Sequence, residues 1–231
     1  MRTTNVKPEQ LNYYGYSSAK YEDGIARAIP SHRELHDSLA GALLRKFSVT
    51  EKIKVLELGV GTGITTERIR SCFSTAHIDA VDFSDTMLAG AKKKLGTRRI
   101  HYILADYSVR QFRKKYDLVV SVVGIHHQTT KGKKALFRKI HEWLKPEGVF
   151  AFGDLVTYRD QKVAALNHAR HYHHLVENAK DEATLTEWAH HHMFLNNLAP
   201  IEDQIEWLEG IGFKVTTEFL KINTALLIGE K

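Results

Sequence analysis

Apolar residues recur with two different periods along this chain. Short, mostly apolar runs alternate with longer stretches in which apolar residues return every three or four positions. The short runs are typical of strands buried on both faces, and the longer period is typical of helices with one apolar face. Strands are predicted over residues 53–58, 76–81, 100–104, 116–123, 149–154, 213–219 and 222–229. Helices are predicted over residues 31–47, 64–73, 84–94, 131–144, 160–180, 185–198 and from 200 onward. The alternation indicates an α/β fold.

Three glycines stand at alternate positions between the first predicted strand and the next helix. Gly59, Gly61 and Gly63 follow the apolar run that ends at Leu58, and the helical pattern begins at Ile64. Glycine tolerates positive φ and close approach of a ligand, and a helix start offers unpaired N–H groups. The combination predicts a cradle for a nucleotide or cofactor. A turn that packs and binds nothing is the alternative.

The spacing of these glycines narrows the choice of ligand. A dinucleotide-binding loop carries Gly-x-Gly-x-x-Gly, whose third glycine would fall at Ile64. Here Gly63 follows Gly61 at the second position, and Glu57 stands two residues before Gly59. A different Rossmann-like nucleotide site remains open on this evidence alone.

An acidic residue ends the second predicted strand. Asp82 lies roughly twenty residues beyond the glycine turn, where a carboxylate can accept hydrogen bonds from both hydroxyls of a ribose. Its alternative role is to cap the helix that follows.

Four segments, taken in order, resemble the motifs of class I (Rossmann-like) S-adenosylmethionine-dependent methyltransferases. They are Glu-x-Gly-x-Gly-x-Gly at 57–63, Asp-Phe-Ser-Asp-Thr-Met-Leu at 82–88, Tyr-Asp-Leu-Val-Val-Ser at 116–121 and Leu-Lys-Pro-Glu-Gly at 144–148. The resemblance covers residues 50–155 and 200–229. It implies an α/β fold with a doubly wound, seven-stranded, mostly parallel sheet whose last strand is antiparallel, together with N-terminal helices and an inserted helical lid.

We expect a single methyltransferase-like domain over residues 1–231. Its parts are an N-terminal lid and helix (1–47), a cofactor-binding core (48–154), an inserted helical lid (155–200) and a closing helix and hairpin (201–231). The lid is expected because residues 155–200 form two polar-faced helical patterns outside the minimal sheet.

The resemblance implies S-adenosylmethionine as the cofactor, with its methionine end at the glycine turn. The backbone of Gly59, Gly61 and Gly63 would approach this end, and Glu57 would orient its ammonium group. In related enzymes a tyrosine of an N-terminal Tyr-Asp-like motif closes over it. Tyr21 is the matching candidate, although a glutamate separates it from the aspartate. A surface or core role is the alternative for Tyr21.

The adenosine end is expected at the ends of the second and third strands. Asp82 would hold the ribose, and Phe83 and Met87 would sandwich the adenine. The family commonly places an acid after strand three against the exocyclic amine of adenine. That position is Asp106 here, with Tyr107 beside the ring.

Histidines are the candidates for proton transfer from a methyl acceptor. His126 and His127 follow strand four at the edge where open α/β sheets bind ligands, and histidine titrates near neutrality. A buried histidine bonded to backbone is the alternative for either one.

A further group of histidines lies in the predicted lid: His168, His171, His173, His174, His190, His191 and His192. No metal site is expected there, because nothing in the sequence fixes a third converging ligand. A solvated or substrate-lining lid is the favoured interpretation.

Charge and composition limit the partners and the compartment that can be expected for this chain. The net charge of +6 comes largely from short Lys/Arg runs, which are either solvated faces or a phosphate-binding face. No apolar run is long enough for a membrane span, and residues 1–5 carry no signal-peptide core. One cysteine, Cys72, fits the reducing cytoplasm.

These features favour methyl transfer from S-adenosylmethionine to a small-molecule acceptor enclosed by the lid. The alternatives are a tRNA or protein methyltransferase, for which nucleic-acid binding is weakly supported, and an enzyme that cyclises or cleaves S-adenosylmethionine itself and releases methylthioadenosine. A non-enzymatic cofactor-binding protein is a fourth. The acceptor and the oligomeric state stay open.

Overall fold

A computed structural model describes residues 18–231; the N-terminal tyrosines Tyr13, Tyr14 and Tyr16 lie outside that range. Its strands are β1 Lys54–Leu58, β2 His77–Asp82, β3 Ile100–Leu104, β4 Tyr116–Val122, β5 Leu144–Leu155, β6 Lys214–Lys221 and β7 Thr224–Glu230. Its α-helices are α1 Ser18–Ala28, α2 His32–Lys46, α3 Ile64–Cys72, α4 Asp85–Leu95, α5 Thr130–Trp143, α6 Gln161–Asn178, α7 Glu182–His190 and α8 Ile201–Glu209.

The strands form one sheet in the order β3-β2-β1-β4-β5-β7-β6. β7 is antiparallel to both neighbours, and the other neighbouring pairs are parallel. The direction of winding reverses between β1 and β4, and such a reversal marks the crevice where open α/β sheets bind ligands. The predicted doubly wound sheet with an antiparallel last strand is confirmed.

Helices cover both faces of this sheet. On one face α2, α3 and α4 contribute Leu39, Ile69 and Ala91 to the core. On the other face α5 and α8 contribute Ile140 and Leu208. Strand side chains of both orientations are therefore buried, which explains the nearly continuous apolar runs in the central strands.

β5 begins earlier than its apolar pattern predicts. Leu144 already pairs with Tyr116, and the register then shifts before Leu118 pairs with Val149. The predicted turn over residues 144–148 is thus an irregular start of the strand, in which Glu147 has φ 63°. A Cβ at Gly148 would lie 2.9 Å from the carbonyl oxygen of Lys145, so the bend requires glycine there.

The lid contains α6, α7 and a π-helical turn over His191–Leu195. The predicted second lid helix, 185–198, was placed too late at both ends. The helix begins earlier because Asp181 caps α7, accepting a hydrogen bond from the backbone N–H of Thr184 at 2.7 Å. The α-helix ends at His190, where the wider turn begins.

Three positions on α2 and α5 depart from what their residue types and spacing suggest. Ser31 precedes α2, yet it has φ 58° and makes no side-chain cap for the helix. Leu44 is 46% exposed, while Leu35, Leu39 and Leu43 on the same helix are buried. Lys133 points inward from α5 and is buried. Over residues 18–231, no helix combines the length and apolar character that a membrane span requires.

Candidate functional site

The glycine loop leaves β1 through two residues in the left-handed region. Gly59 has φ 79° and Gly61 has φ 54°. The backbone N–H groups of Gly59 and Val60 both donate to the carbonyl oxygen of Val81 at 2.9 Å, which ties the loop to the end of β2. The loop is therefore held open at the carboxyl edge of the sheet.

Asp82 completes this attachment. Its Oδ2 accepts a hydrogen bond from the N–H of Gly61 at 2.8 Å, and its Oδ1 accepts one from Ser84 at 2.9 Å. Burial raises the pKa of the Asp82 carboxyl, and these backbone donors oppose the rise. A carboxylate offers about four acceptor positions, so Asp82 keeps acceptor capacity towards a ligand.

Two cavities lie along this edge, with volumes of about 820 Å³ and 700 Å³ that include the space at their openings. We call the smaller one the glycine-loop cavity. Six of the residues predicted to hold the cofactor line it: Gly59, Gly61, Asp82, Phe83, Met87 and Tyr107. Its wall also includes Thr62, whose buried Oγ1 has no hydrogen-bond partner among residues 18–231.

Glu57, predicted to contact the cofactor, lies behind the loop instead of on the cavity wall. Its side chain is 1% exposed and accepts a hydrogen bond from the hydroxyl of Thr66. Its other oxygen, Oε1, has no partner within the described residues. Burial raises the pKa of Glu57 to about 8.

Gly63 and Asp106 also lie off the wall. Gly63 has φ 89° at the start of α3, and a Cβ there would lie 2.5 Å from Cδ1 of Leu95. This glycine is therefore required by the packing of α3 against α4. Asp106 is exposed and accepts a hydrogen bond from the N–H of Ser108 at 2.7 Å, as a turn-forming aspartate does.

The larger cavity, which we call the lid cavity, lies between α1, the lid and the ends of β4 and β5. Its apolar wall includes Ile29, Leu155, Leu175 and Trp188. Four residues line both cavities: Tyr21, Ile25, Val123 and His127. We call these four the junction, because they border both cavities.

Two junction residues carry distinctive geometry. A Cβ at Gly61 would lie 3.9 Å from Cε1 of Tyr21, so the ring of Tyr21 sits directly over the glycine loop. Val123 has φ 54°, a region that β-branched residues rarely occupy, and such strain concentrates at functional sites. Val123 is held there by its N–H, which donates to the carbonyl of Gly153 at 2.8 Å.

His126 is fixed by a buried carboxylate. Its Nδ1 lies 2.5 Å from Oδ1 of Asp154, and its backbone N–H donates to Oδ2 of the same residue at 2.8 Å. Both side chains are nearly fully buried, at 2% and 1% exposure. Since a carboxylate accepts, Nδ1 carries a proton, and in the neutral ring Nε2 is the unprotonated nitrogen.

His127 and His191 lie beside this pair. Nδ1 of His127 lies 3.2 Å from the carbonyl oxygen of Leu195, which again leaves Nε2 unprotonated. The ring of His191 meets that of His127 edge to face, with centroids 5.2 Å apart. Burial lowers the pKa of His127 well below its usual value and lowers that of His191 to about 4.

The other lid histidines are divided between structural and exposed positions. His171 donates from Nε2 to the carbonyl of Ala28 at 3.2 Å, and His174 donates to the carbonyl of Arg27 at 2.8 Å. Both thereby satisfy carbonyls at the C-terminal end of α1. His171 is 2% exposed and burial lowers its pKa to about 3, so a uniformly solvated lid is wrong.

Sequence reasoning missed Asp154 and His191. Asp154 ends the predicted fifth strand, at the same sheet edge as His126, so parallel pairing of the two strands contained a signal for this contact. His191 gives no such signal, because it reaches the site only through the π-helical turn. Lys133 was also missed: its buried ammonium donates to the carbonyls of His126, Gln128 and Asn197 and fixes the loop that carries both histidines.

Comparisons with known proteins agree with this geometry. Residues 55–148 match a family model described as a methyltransferase domain. A malonyl-[acyl-carrier protein] O-methyltransferase of Bacillus anthracis is 31% identical over 120 residues, which are 52% of this chain and 44% of that protein. A carboxy-S-adenosyl-L-methionine synthase of Campylobacter concisus is 26% identical over 157 residues, 67% of this chain and 66% of that one. The chain spans less than half the length of the curated relatives it matches first.

Solved structures show the same fold at lower identity. Phosphoethanolamine N-methyltransferase 2 of Haemonchus contortus, in complex with S-adenosyl-L-methionine, superposes with a TM-score of 0.65. It is 17% identical, and the match covers 96% of this chain and 59% of that one. Sheet order, glycine loop and sequence match thus agree: residues 55–148 are similar to a methyltransferase domain, and the chain has the α/β fold of S-adenosylmethionine-dependent methyltransferases.

Proposed function

We propose that this protein transfers a methyl group from S-adenosylmethionine, held in the glycine-loop cavity, to a small molecule held in the lid cavity. The observation that carries the proposal is the junction, where the two cavities share Tyr21, Ile25, Val123 and His127. Methyl transfer needs donor and acceptor on opposite sides of one carbon, in line and away from water. Two neighbouring cavities that share this mostly apolar edge suit that arrangement.

The residues of the glycine-loop cavity fit the cofactor. Asp82 has acceptor capacity for ribose hydroxyls, and Phe83 and Met87 offer apolar surfaces for adenine. The hydroxyl of Thr62, buried without a partner among residues 18–231, is an orphaned polar group that a polar ligand would satisfy. The cofactor supplies an electrophilic methyl carbon, and the protein supplies binding and orientation.

Glu57 and Asp106 stay candidates with altered roles. Glu57 has one unpartnered oxygen behind the loop, so it can respond to the ammonium end of the cofactor through Thr66 or water. Asp106 can reach adenine only if its exposed side chain turns away from Ser108. Gly63 is better explained by helix packing than by contact with the cofactor.

His126 and His127 line the lid cavity, and each uses Nδ1 for its hydrogen bond, so that a neutral ring has an unprotonated Nε2. An imidazole in this state can accept the proton of an acceptor hydroxyl or amine. Asp154 holds His126 in the required tautomer, and Tyr21 closes the junction above the glycine loop.

The class of methyl acceptor is inferred from the lid, because the match to the family model ends at residue 148, before the lid begins. A largely apolar cavity of this size suits a small molecule. A carrier-linked acceptor is the nearest variant, because the Bacillus anthracis relative is named for one. An open nucleic-acid face is less favoured: Lys94 is paired with Glu22 and Glu67, and Lys133 is buried.

A second candidate is chemistry on the cofactor itself. It is favoured by the Campylobacter concisus relative, whose name describes synthesis of a carboxylated S-adenosylmethionine.

The half-buried single cysteine, Cys72, suits a reducing compartment such as the cytoplasm for either activity.

Fractionated extracts test the acceptor class. The protein is incubated with S-adenosylmethionine and either the low-molecular-mass filtrate, the macromolecular fraction or that fraction after nuclease treatment, and S-adenosylhomocysteine is measured. We expect turnover with the filtrate that changes little with salt. Turnover only with macromolecules would contradict a small acceptor, and loss of it after nuclease or in salt would identify RNA.

A further inference from the structure

Three histidines from two separate elements converge at the edge of the lid cavity. His126 and His127 belong to a 3₁₀ turn after β4, and His191 begins the π-helical turn after α7. One ring nitrogen of each lies within 4.8 Å of the other two, and all three residues line the lid cavity. No metal site is favoured by the sequence, because it shows no third ligand, and the fold supplies that ligand as His191.

Two of the rings are held as metal-binding histidines are held. Nδ1 of His126 is bonded to the Asp154 carboxylate, and Nδ1 of His127 to the carbonyl of Leu195. In metal sites the ring nitrogen that does not bind the ion donates to a carboxylate or carbonyl, which fixes the tautomer and the ring orientation. Nε2 of both rings is thereby left to coordinate, and while an ion is bound these atoms do not accept the proton of a methyl acceptor.

Two charged groups lie beside the three rings. The buried ammonium of Lys133 opposes a cation nearby, and the carboxylate of Asp154 offsets it.

We propose that His126, His127 and His191 bind a divalent transition-metal ion of the zinc type, with its fourth position open to the lid cavity. Three imidazoles with one open position are the donor set of catalytic zinc sites. Mg²⁺ and Ca²⁺ prefer oxygen donors and are not expected to bind. An open position of this kind takes water or an anionic ligand such as a carboxylate or a thiolate.

The geometry requires a small closure around the ion. With zinc–nitrogen bonds of 2.0–2.1 Å in a tetrahedral site, the three nitrogens lie roughly 3.3 Å apart. The separations here extend to at most 4.8 Å, so closure by at most about 1.5 Å per pair completes the site. His191 is the least buried of the three and stands on a π-helical turn, a feature that is frequent at functional sites.

Ion binding does not depend on the proposed methyl transfer, and it is measured without cofactor or acceptor. Chelator-treated protein is titrated with Zn²⁺ in competition with a chromophoric chelator, and with Co²⁺ followed by visible absorption. His191→Ala removes a ligand, and His190→Ala is the matched control because His190 is exposed and adjacent. Circular dichroism checks the fold, and His191→Gln replaces the alanine variant if that variant unfolds.

We expect one ion per chain, tetrahedral Co²⁺ absorption, and a loss of affinity of at least about 100-fold in His191→Ala but not in His190→Ala. Asp154→Asn should weaken binding by roughly 10- to 100-fold, since Asp154 orients a ligand. The proposal is overturned if the wild-type protein binds no stoichiometric ion, or if His191 variants bind as tightly as the control.

Discussion

The carboxylate of Asp154 holds His126 at two points, through the ring Nδ1 at 2.5 Å and through the backbone N–H at 2.8 Å. Asparagine at position 154 has one acceptor oxygen for two donors, so the ring loses its fixed tautomer. We expect Asp154→Asn to lower the rate of S-adenosylhomocysteine formation with acceptor-containing extract by about 100-fold or more. Cofactor affinity should stay unchanged, because Asp154 is not part of the glycine-loop cavity wall.

Asp37→Asn is the control for this experiment, since Asp37 is exposed on α2. Thermal unfolding shows whether the buried substitution leaves the fold intact. If the Asp154→Asn protein is folded and turns over at the wild-type rate, His126 does not accept the proton of the methyl acceptor.

Asp82 both holds the glycine loop and faces its cavity. Asp82→Ala removes the acceptor of the Gly61 N–H and the proposed acceptor of the ribose hydroxyls. Hydrogen bonds to a charged group contribute about 1.5–3 kcal/mol, so affinity for S-adenosylhomocysteine should fall by roughly 10- to 150-fold. Calorimetric titration measures this, with Asp85→Ala on the exposed start of α4 as control. Equal affinities in the two variants would refute the ribose assignment.

Glu57 makes stability depend on pH. Its pKa is raised from 4.5 to about 8 in the folded protein, so the unfolded chain loses this proton first as pH rises. The raised pKa therefore contributes to the free energy of unfolding in a pH-dependent way. This contribution is fully present below pH 4.5, where Glu57 is neutral in both states, and it is lost by about pH 8. Glu57→Gln keeps the shape without the titration. As pH rises through that window, the free energy of unfolding of Glu57→Gln should therefore increase relative to that of the wild type by roughly 1.4 kcal/mol per pH unit.

Urea unfolding of both proteins at several pH values measures this gain for the protein without cofactor. The difference should become constant above about pH 8, where both states of the wild type are ionised. A difference that does not change between pH 5 and pH 8 would show that Glu57 keeps an ordinary pKa.

Gly63 and Gly96 form a matched pair for the packing claim. Both have positive φ, 89° and 70°, but a Cβ at Gly63 would meet Leu95 at 2.5 Å, whereas nothing lies within 4 Å of one at Gly96. Gly96 has ψ −165°, in a region that is nearly restricted to glycine, so Gly96→Ala should cost roughly 1–3 kcal/mol of stability from backbone strain alone. Gly63→Ala should cost about 1–3 kcal/mol more from overpacking, measured by urea unfolding.

A second substitution separates strain from overpacking at Gly63. Leu95→Ala opens the space that a Cβ at position 63 needs, so Gly63→Ala should cost less in the Leu95→Ala background than in the wild type. The packing explanation fails if the cost is the same in both.

The sheet and the glycine loop were predictable because their causes are local. Gly59 and Gly61 sit at positive φ between an apolar run and a helix start, and both signals stand in the sequence. Asp82 was predictable for a similar reason, since strand ends in a parallel sheet meet at one edge.

What the sequence did not predict depends on tertiary packing. Lys133 has the spacing of an outward lysine on α5, but three carbonyls of a neighbouring loop surround its ammonium. His191 is one of many lid histidines in the sequence, and only the π-helical turn brings it to His127. Gly63 fits the motif spacing, yet its close neighbour is Leu95 on another helix.

The most direct test of the central claim follows the methyl group itself. The purified protein is incubated with methyl-deuterated S-adenosylmethionine, alone and with a metabolite extract, and products are identified by mass spectrometry. We expect S-adenosylhomocysteine and one deuteromethylated small molecule, and we expect both products to form only when extract is present. Methylthioadenosine formed without extract, or S-adenosylmethionine left unchanged in both incubations, would contradict methyl transfer across the junction.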